Sequence, residues 1–457
     1  MNLRQVIENY NQSGPRYTSY PPATFFHERY DKKCLISDVK KSNNEDPQNI
    51  SIYIHIPFCP QICHFCGCTT EMGFTKPFIK KYVEALIEEM RFTSSLINKE
   101  RKVSQVHWGG GTPNAISMVY IEEVTDFIKG HFKFTEDYEM AIECSPAYLE
   151  FRHIEQLKKF GFNRISLGIQ DFNDEVLKAV NRKPSKHPID LVIKKIKYEG
   201  FKGTNIDLIY GLPLQNLIGF KKTIEKAIEL DVDRIVTFSY AHLPSVLPRQ
   251  KALNEQEFPS FQEKAKMYLE GYKKFTDKNY IAVGMDHYSK PNDELAIALK
   301  NKTLHRNFQG YCTKSNTGQV YGFGASSISQ LTSSYSQNIK NAAKYINAIK
   351  KNKTAVFRGY QVTIKEKIIR DVINSIMCNY YVDFNELSYK YKTPINELKK
   401  VTNYNENNLR DLIKKNFIEI NSKRIDVKHD ARLIVRNIAM RFDPMINEKK
   451  GIYSKVI

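Results

Sequence analysis

Six short apolar runs recur along the first half of this sequence with helical stretches between them, an alternation that few architectures accommodate. The runs are Ile50–Ile56, Val103–Trp108, Tyr138–Cys144, Asn163–Ile169, Asn205–Tyr210 and Arg234–Tyr240, with a weaker one at Tyr280–Met285. Each is rich in β-branched or aromatic residues and gives way to turn-forming or polar ones, as strands do. Between them Phe78–Leu96, Tyr120–Phe132, Ile154–Phe160, Ile189–Tyr198 and Gly219–Leu230 read as helices. Strands and helices in turn imply parallel βα units, hence an α/β sheet or barrel with ligands at the carboxyl ends of its strands.

The chemically distinctive residues fall at those ends. The first strand runs into YIHIPFCPQICHFCGC, which holds Cys59, Cys63, Cys66 and Cys68. GGGTP (Gly109–Pro113) follows the second strand and Glu143 ends the third. Gln170-Asp171 follow the fourth, Asp207 lies in the fifth, and Tyr240-Ala241-His242 close the sixth. Such convergence on one rim argues for a single active site. Thiolates spaced C-x-x-x-C-x-x-C can hold three corners of a 4Fe–4S cubane and leave the fourth iron open for chemistry. This spacing resembles the signature of radical S-adenosylmethionine enzymes. A zinc site fits less well, because zinc knuckles usually bring two separated C-x-x-C pairs. A disulfide framework fits least: eight cysteines in 457 residues is ordinary usage, and no export signal precedes them.

Length implies one large domain plus something smaller. With 41% hydrophobic residues the chain can bury a sizeable core. No stretch reaches the roughly 20 apolar residues of a membrane span. The N-terminus lacks the apolar run of a signal peptide, so a soluble, cytoplasmic protein is expected. The net charge of +19 invites a nucleic-acid partner. Its lysine pairs, such as Lys194-Lys195 and Lys273-Lys274, are nevertheless scattered over helical stretches, which favours a solvated surface and no nucleic acid. Past residue 345, Lys365–Tyr380, Pro394–Val401 and Asn408–Asn416 read as helices, Ile418–Val427 as a hairpin and Ala431–Arg441 as a last helix. That order resembles a winged helix, although a helical lid over the barrel mouth is the preferred reading.

Three consecutive glycines let backbone amides and carbonyls approach a ligand closely. Glu143 and Asp207, near or within apolar strands, need partners such as an ammonium, a ribose hydroxyl or an arginine. Arg182 could supply charge for a bound carboxylate. For each of these the competing reading is a structural salt bridge. Trp108, the only tryptophan, reads as core. The arm SGPRYTSYPP (Ser13–Pro22), stiffened by proline, reads either as a segment reaching the active-site mouth or as an outer strap.

Taken together, these motifs resemble the oxygen-independent coproporphyrinogen III oxidase family, radical S-adenosylmethionine dehydrogenases of haem biosynthesis. The likeness runs through SGPRYTSYP, the cysteine run, HWGGGTP, GFNRISLGIQDFN, TNIDLIYGLP, YAHLP, GMDH, HRNFQGY (His305–Tyr311), RNIAMRFD (Arg436–Asp443) and the closing SKVI. It implies an α/β fold, an incomplete parallel (β/α)6 TIM-like barrel at residues 46–345. An N-terminal arm (1–45) and a mostly helical C-terminal domain (346–457) would close the cleft.

The resemblance further implies a 4Fe–4S cluster on Cys59, Cys63 and Cys66, and two S-adenosylmethionine molecules. Tyr53, Gly110, Glu143 and Ile328 would contact the first molecule. Phe65, Gly111, Thr112, Gln170, Arg182, Asp207 and Ala241 would surround the second. Cys68 would serve activity without binding iron. The implied reaction takes the propionates of rings A and B of coproporphyrinogen III to vinyl groups, giving protoporphyrinogen IX. A reduced flavodoxin- or ferredoxin-type donor and a monomeric state are expected. The sequence departs from the family at Cys144-Ser145, Cys312 and Met440-Arg441. Rivals are a haem chaperone of the same subgroup, a tRNA-modifying protein on the same core, and a zinc protein; the fourth cysteine and the arm favour the oxidase over the chaperone.

Overall fold

The computed structural model describes residues 9–313, 318–446 and 453, so the SKVI motif lies outside the described residues. The chain forms two compact units. One comprises residues 26–280 and 315–361, the other residues 1–25, 281–314 and 362–457.

The larger unit is built on the expected βα series. Its strands are β1 (Ile50–Ile56), β2 (Lys102–Gly110), β3 (Lys133–Cys144), β4 (Arg164–Gln170), β5 (Gly203–Tyr210) and β6 (Arg234–Ser239). They pair in sequence order and in parallel. Helices Lys76–Ser94, Met118–His131, Phe151–Lys159, Ile189–Tyr198 and Leu217–Glu229 link them, near the places the sequence sets. Polar caps start several of these helices. Thr75 accepts from the Phe78 N–H and Asn216 from the Gly219 N–H, each meeting a donor the first turn would leave orphaned.

The strands are covered on both faces, as parallel sheets are: Ile52, Ile54, Val106, Ile142, Ile165, Leu167, Ile206 and Leu208 are buried, and Trp108 is fully enclosed. Next to β1 lies not β6 but Gln319–Phe323, in parallel, so β1–β6 form an open arc. Ile328–Gln330, Ser334–Asn338 and Val356–Gln361 extend that edge as antiparallel strands. The sequence reading did not contain these four strands.

The second unit gathers three remote stretches. Antiparallel pairs Ile281–Val283 with His287–Ser289 and Leu304–Arg306 with Tyr311–Thr313 flank the helix Glu294–Lys300. The helix Ile364–Asn374 runs into a π-helical turn, Ser375–Asn379. Tyr381–Asp383, Arg424–Val427 and Ile418–Ile420 then make a small antiparallel sheet, with helices Phe384–Tyr391, Ile395–Val401 and Glu406–Lys414 between its first and later strands. This is the winged-helix order, completed by a strand and a helix that the sequence reading lacked.

The arm joins this unit's core through Tyr10, Tyr17 and Tyr20. The Tyr17 and Tyr20 hydroxyls donate to Asp443 at 2.9 and 2.8 Å, joining two specific motifs from opposite ends of the chain. These units cut the chain differently from boundaries at residues 45 and 345. Residues 26–45 stay with the barrel because His27 bridges Gly359 and Gln361 donates to Asp38. Residues 281–313 leave it because Val283, Leu295, Leu304 and Tyr311 share a core with Ile369 and Ile438.

Candidate active site

The cysteine loop leaves β1 at Pro57 and is held on several sides by backbone bonds. Cys59 N–H donates to Glu71 O, Thr112 N–H to Phe58 O and Gly111 N–H to Ile56 O at 2.7 Å. A second anchor is the segment after β4. Gln61 donates to the Asn181 carbonyl and side-chain oxygen, Asn181 returns a bond to Ile62 O at 2.9 Å, and His64 N–H reaches Val180 O. A third is Gln250, almost fully buried, whose amide donates to Phe65 O and Ala241 O while accepting from Leu243 N–H. The loop is therefore tied to β2, to the turn beyond β4 and to the end of β6.

Each glycine of the triplet meets a different steric demand. A Cβ on Gly109 would lie 2.8 Å from a Glu143 carboxylate oxygen. One on Gly110 would meet the His55 ring at 2.7 Å, and its φ of +113° also excludes most side chains. One on Gly111 would strike the Phe58 and Ile56 carbonyls. Behind the triplet runs a short relay. Tyr53 stacks on His107 at 6.1 Å, and His107 Nε2 meets Glu143 Oε1 at 2.9 Å. Burial opposes charge on His107, yet the Glu143 hydrogen bond and carboxylate raise its pKa above the ordinary value. Glu143 is thus aimed at the end of β3 with one oxygen already engaged.

Across the rim, Asp207 accepts from Ser166 and Asn205. Arg182 donates to Gly168 O and, at 3.4 Å, to Cys63 Sγ. Gln170 has φ +72°, and its buried Oε1 has no partner. The four loop thiols are free of disulfides. Burial raises Cys59 and Cys63. Hydrogen bonds from the Cys68 side chain and N–H, with Arg249 and Arg182 nearby, pull Cys66 down toward thiolate.

One cleft collects Cys59, Cys63, Cys66 and Cys68 with Phe65, Gly110, Gly111, Thr112, Glu143, Gln170, Arg182 and Asp207. Tyr53, Ala241 and Ile328 do not line it. Tyr53 stands behind Glu143, Ala241 offers its carbonyl to Gln250, and Ile328 backs onto Gly322, the partner of Tyr53 in the neighbouring strand. Three free thiols, an open rim, a nearby guanidinium and an unpartnered buried amide oxygen fit a cluster with an organic ligand. Among the described residues no group of three His, Cys, Asp or Glu side chains is set to hold a single metal ion, whereas a cubane spreads its thiolates over separate irons.

The Radical SAM superfamily model matches residues 53–227. Over 457 residues the chain is 37% identical to the oxygen-independent coproporphyrinogen III oxidase of Salmonella typhimurium, covering 99% of this chain and 98% of that one. The Helicobacter pylori enzyme of the same name is 35% identical over 461 residues, covering 99% of each. The chain belongs to the oxygen-independent coproporphyrinogen III oxidase family. The solved coproporphyrinogen III oxidase of Escherichia coli, described as a radical SAM enzyme, superposes with a TM-score of 0.88 at 36% identity, covering 94% of this chain and 97% of that one. The fold is accordingly the α/β, incomplete-barrel class that the resemblance implies.

Within this family framework, sequence reasoning missed the residues that orient the site. Gln250 stands in no motif, whereas Gln61 sits inside the cysteine run and Asn181 beside Arg182, and neither position told what it holds. His107 stood in HWGGGTP but gave no hint that it holds Glu143. The departure at Cys144-Ser145 is absorbed locally. Cys144 is buried, and Ser145 is held through its backbone by Asn114, which bonds both its N–H and its carbonyl.

Proposed function

We propose that this chain converts the ring A and ring B propionates of coproporphyrinogen III to vinyl groups, yielding protoporphyrinogen IX in anaerobic haem biosynthesis. The observation that carries this reading is the gathering of three free thiols, a glycine-lined strand end and two carboxylates on one rim in a member of this family. Cys59, Cys63 and Cys66 would hold a 4Fe–4S cluster. Such a cluster, with S-adenosylmethionine bound, would supply one-electron cleavage of the sulfonium and so the hydrogen abstraction that begins each decarboxylation.

The chain's own groups position and exclude. Glu143, held by His107, would take the ammonium of the first S-adenosylmethionine beside Gly109–Gly111, which have no side chains to obstruct it. Asp207 and the free Gln170 oxygen are acceptors suited to hydroxyls of a second molecule, and Arg182 to its carboxylate. Phe65, packed with Val176, Leu212 and Tyr240, keeps that side apolar and limits water. Tyr53 and Ile328 support the first position from behind. Cys68, exposed at the loop end, serves turnover rather than iron binding. A flavodoxin- or ferredoxin-type donor, a monomeric state and a cytoplasmic site complete the proposal. Among the described residues no helix is long and apolar enough to cross a membrane.

The test is an anaerobic assay of the reconstituted protein with S-adenosylmethionine, a reductant and coproporphyrinogen III, read by mass. Stepwise loss of two carboxyl groups with formation of 5′-deoxyadenosine is expected. Deoxyadenosine without substrate conversion would reject the oxidase reading and favour the haem chaperone.

A further inference from the structure

Within the barrel unit, the segment that follows the cysteine loop is tied back to its first thiol. Phe58 and Glu71 form an isolated parallel bridge, with Glu71 N–H donating to Pro57 O at 2.8 Å and Cys59 N–H to Glu71 O at 3.1 Å. Phe58, next to Cys59, is 4% exposed and meets the Phe74 ring edge-on at 4.6 Å. Phe74 in turn stacks on Phe78 at 4.8 Å, and both of these rings are half-buried. A file of aromatic rings thus leads from the cysteine loop to the surface. Met72, one residue on from Glu71, is 52% exposed. Neither Met72 nor the Phe74–Phe78 pair lines the thiol cleft.

The charges around that surface are mostly of one sign. Lys76, Lys80 and Lys81, in the first two turns of the helix Lys76–Ser94, are exposed. The Glu71 carboxylate accepts from the Ala342 N–H at 2.8 Å, which brings the start of the helix Ala342–Asn352 to the same edge with exposed Lys340 and Lys344. Among the described residues none of these five ammonium groups is in an ion pair. Glu71 is engaged by that helix end, and exposed Glu84 is the next carboxylate along the chain. Further along the first helix the pattern changes, because Glu88 pairs with both Arg91 and Lys353. Neither helix has an acid in its first turn, so the lysines stand at the positive ends of two helix dipoles, an unfavourable placement that an acidic partner relieves. An exposed methionine and aromatic edges ringed by like charge have the make-up of a protein interface, apolar at the centre and charged at the rim.

We infer that this face, Met72 ringed by Lys76, Lys80, Lys81, Lys340 and Lys344, docks an acidic one-electron donor protein of the flavodoxin class. This inference rests on the proposed reaction, which needs one electron for each S-adenosylmethionine cleaved. The donor's flavin would lose one electron and the cluster held through Cys59 would gain it, with no bond made or broken and no proton moved. Docking here leaves the thiol cleft free for S-adenosylmethionine and the tetrapyrrole.

The experiment measures binding of oxidised flavodoxin, an acidic flavin protein, to reconstituted holoenzyme by calorimetry at low and high salt. Lys76→Glu/Lys80→Glu/Lys81→Glu is expected to bind about tenfold more weakly than wild type at low salt and to lose most of the salt dependence. A charge-matched variant at exposed lysines elsewhere, Lys222→Glu/Lys266→Glu/Lys278→Glu, should bind like wild type. Met72→Glu, a single surface change, should weaken binding in the same direction, and it carries the test if the triple variant does not fold. In the same preparations turnover driven by dithionite should be unchanged, while turnover driven by limiting reduced flavodoxin should fall about as far as the affinity. Equal affinity of wild type and the patch variants, an equal loss in the charge-matched variant, or no binding by wild type would overturn the inference. If flavodoxin binds through the patch but neither reductant supports decarboxylation, the reaction proposed above fails and the docking face stands.

Discussion

In the barrel unit the chemistry sits at or just past strand ends, and each group's partner comes from an adjacent strand or the next loop, as with Glu143 and His107 on β3 and β2. In the second unit Arg16, Asp286, Arg306 and Arg436 come from three stretches far apart in sequence, one of which, the arm, is fastened to Asp443. Their buried charges differ as well. Glu89 of the barrel unit is enclosed, but it accepts from Gly324 N–H, Tyr345 and Asn338, all neutral donors that satisfy it. Arg306 has no such completion. A buried ionisable group with its partners in place reads as architecture, whereas a buried donor without one is the rarer case.

The largest effect that bears on this contrast is all-or-none. Cys66→Ser should lose both the cluster and turnover, seen in iron content, visible absorption and product formation, because it removes one of the three thiols assigned to iron. An active, cluster-free variant would break the account of the rim.

Next comes pH. Burial raises Glu89 from 4.5 to about 7, so between those values the folded state keeps a proton that the unfolded chain has released. Stability should therefore fall as pH rises across that window, by on the order of 3 kcal/mol, and level off above it. Denaturant unfolding of wild type and Glu89→Gln should show the slope in the first and a flatter line in the second.

Asp443→Asn leaves Tyr17 and Tyr20 competing for one acceptor oxygen and should cost about 2 kcal/mol, with faster proteolysis of the arm. Iron content should stay at the wild-type level, since no barrel thiol depends on that clamp. Smallest is Asn181→Ala. It removes the side-chain bonds to Ile62 O and from Gln61 and places alanine at φ +53°, for about 1 kcal/mol or somewhat more. Asn181→Gly, which relieves the dihedral alone, should recover part of that loss in the same melts.

The contrast also explains what the sequence discloses. β1 to β6 were legible because an apolar run of strand length between helices has one natural reading, and the rim followed because strand ends carry the chemistry in such folds. The strands Ser334–Asn338 and Ile328–Gln330 were not, since SYSQN and ISQ have neither apolar alternation nor β-branched density; neighbours in the sheet make them strands. Tyr381–Asp383 escaped for a similar reason, lying between a π-turn and a helix cap. The resemblance to the family named the cleft residues, but not the hold of His107 on Glu143 or the clamps through Asn181 and Gln250. Those depend on which side chains face each other across different elements, and no local spacing encodes that.

The assignment of three loop cysteines to iron and the fourth to turnover is tested most directly by comparing wild type with Cys68→Ser. Both would be reconstituted anaerobically, analysed for iron and examined by electron paramagnetic resonance with and without S-adenosylmethionine. The account predicts about four irons per chain in each, and a reduced-cluster signal that shifts when S-adenosylmethionine is added, with product formation lost in the variant alone. Loss of iron in Cys68→Ser, or a cluster signal indifferent to S-adenosylmethionine in wild type, would contradict it.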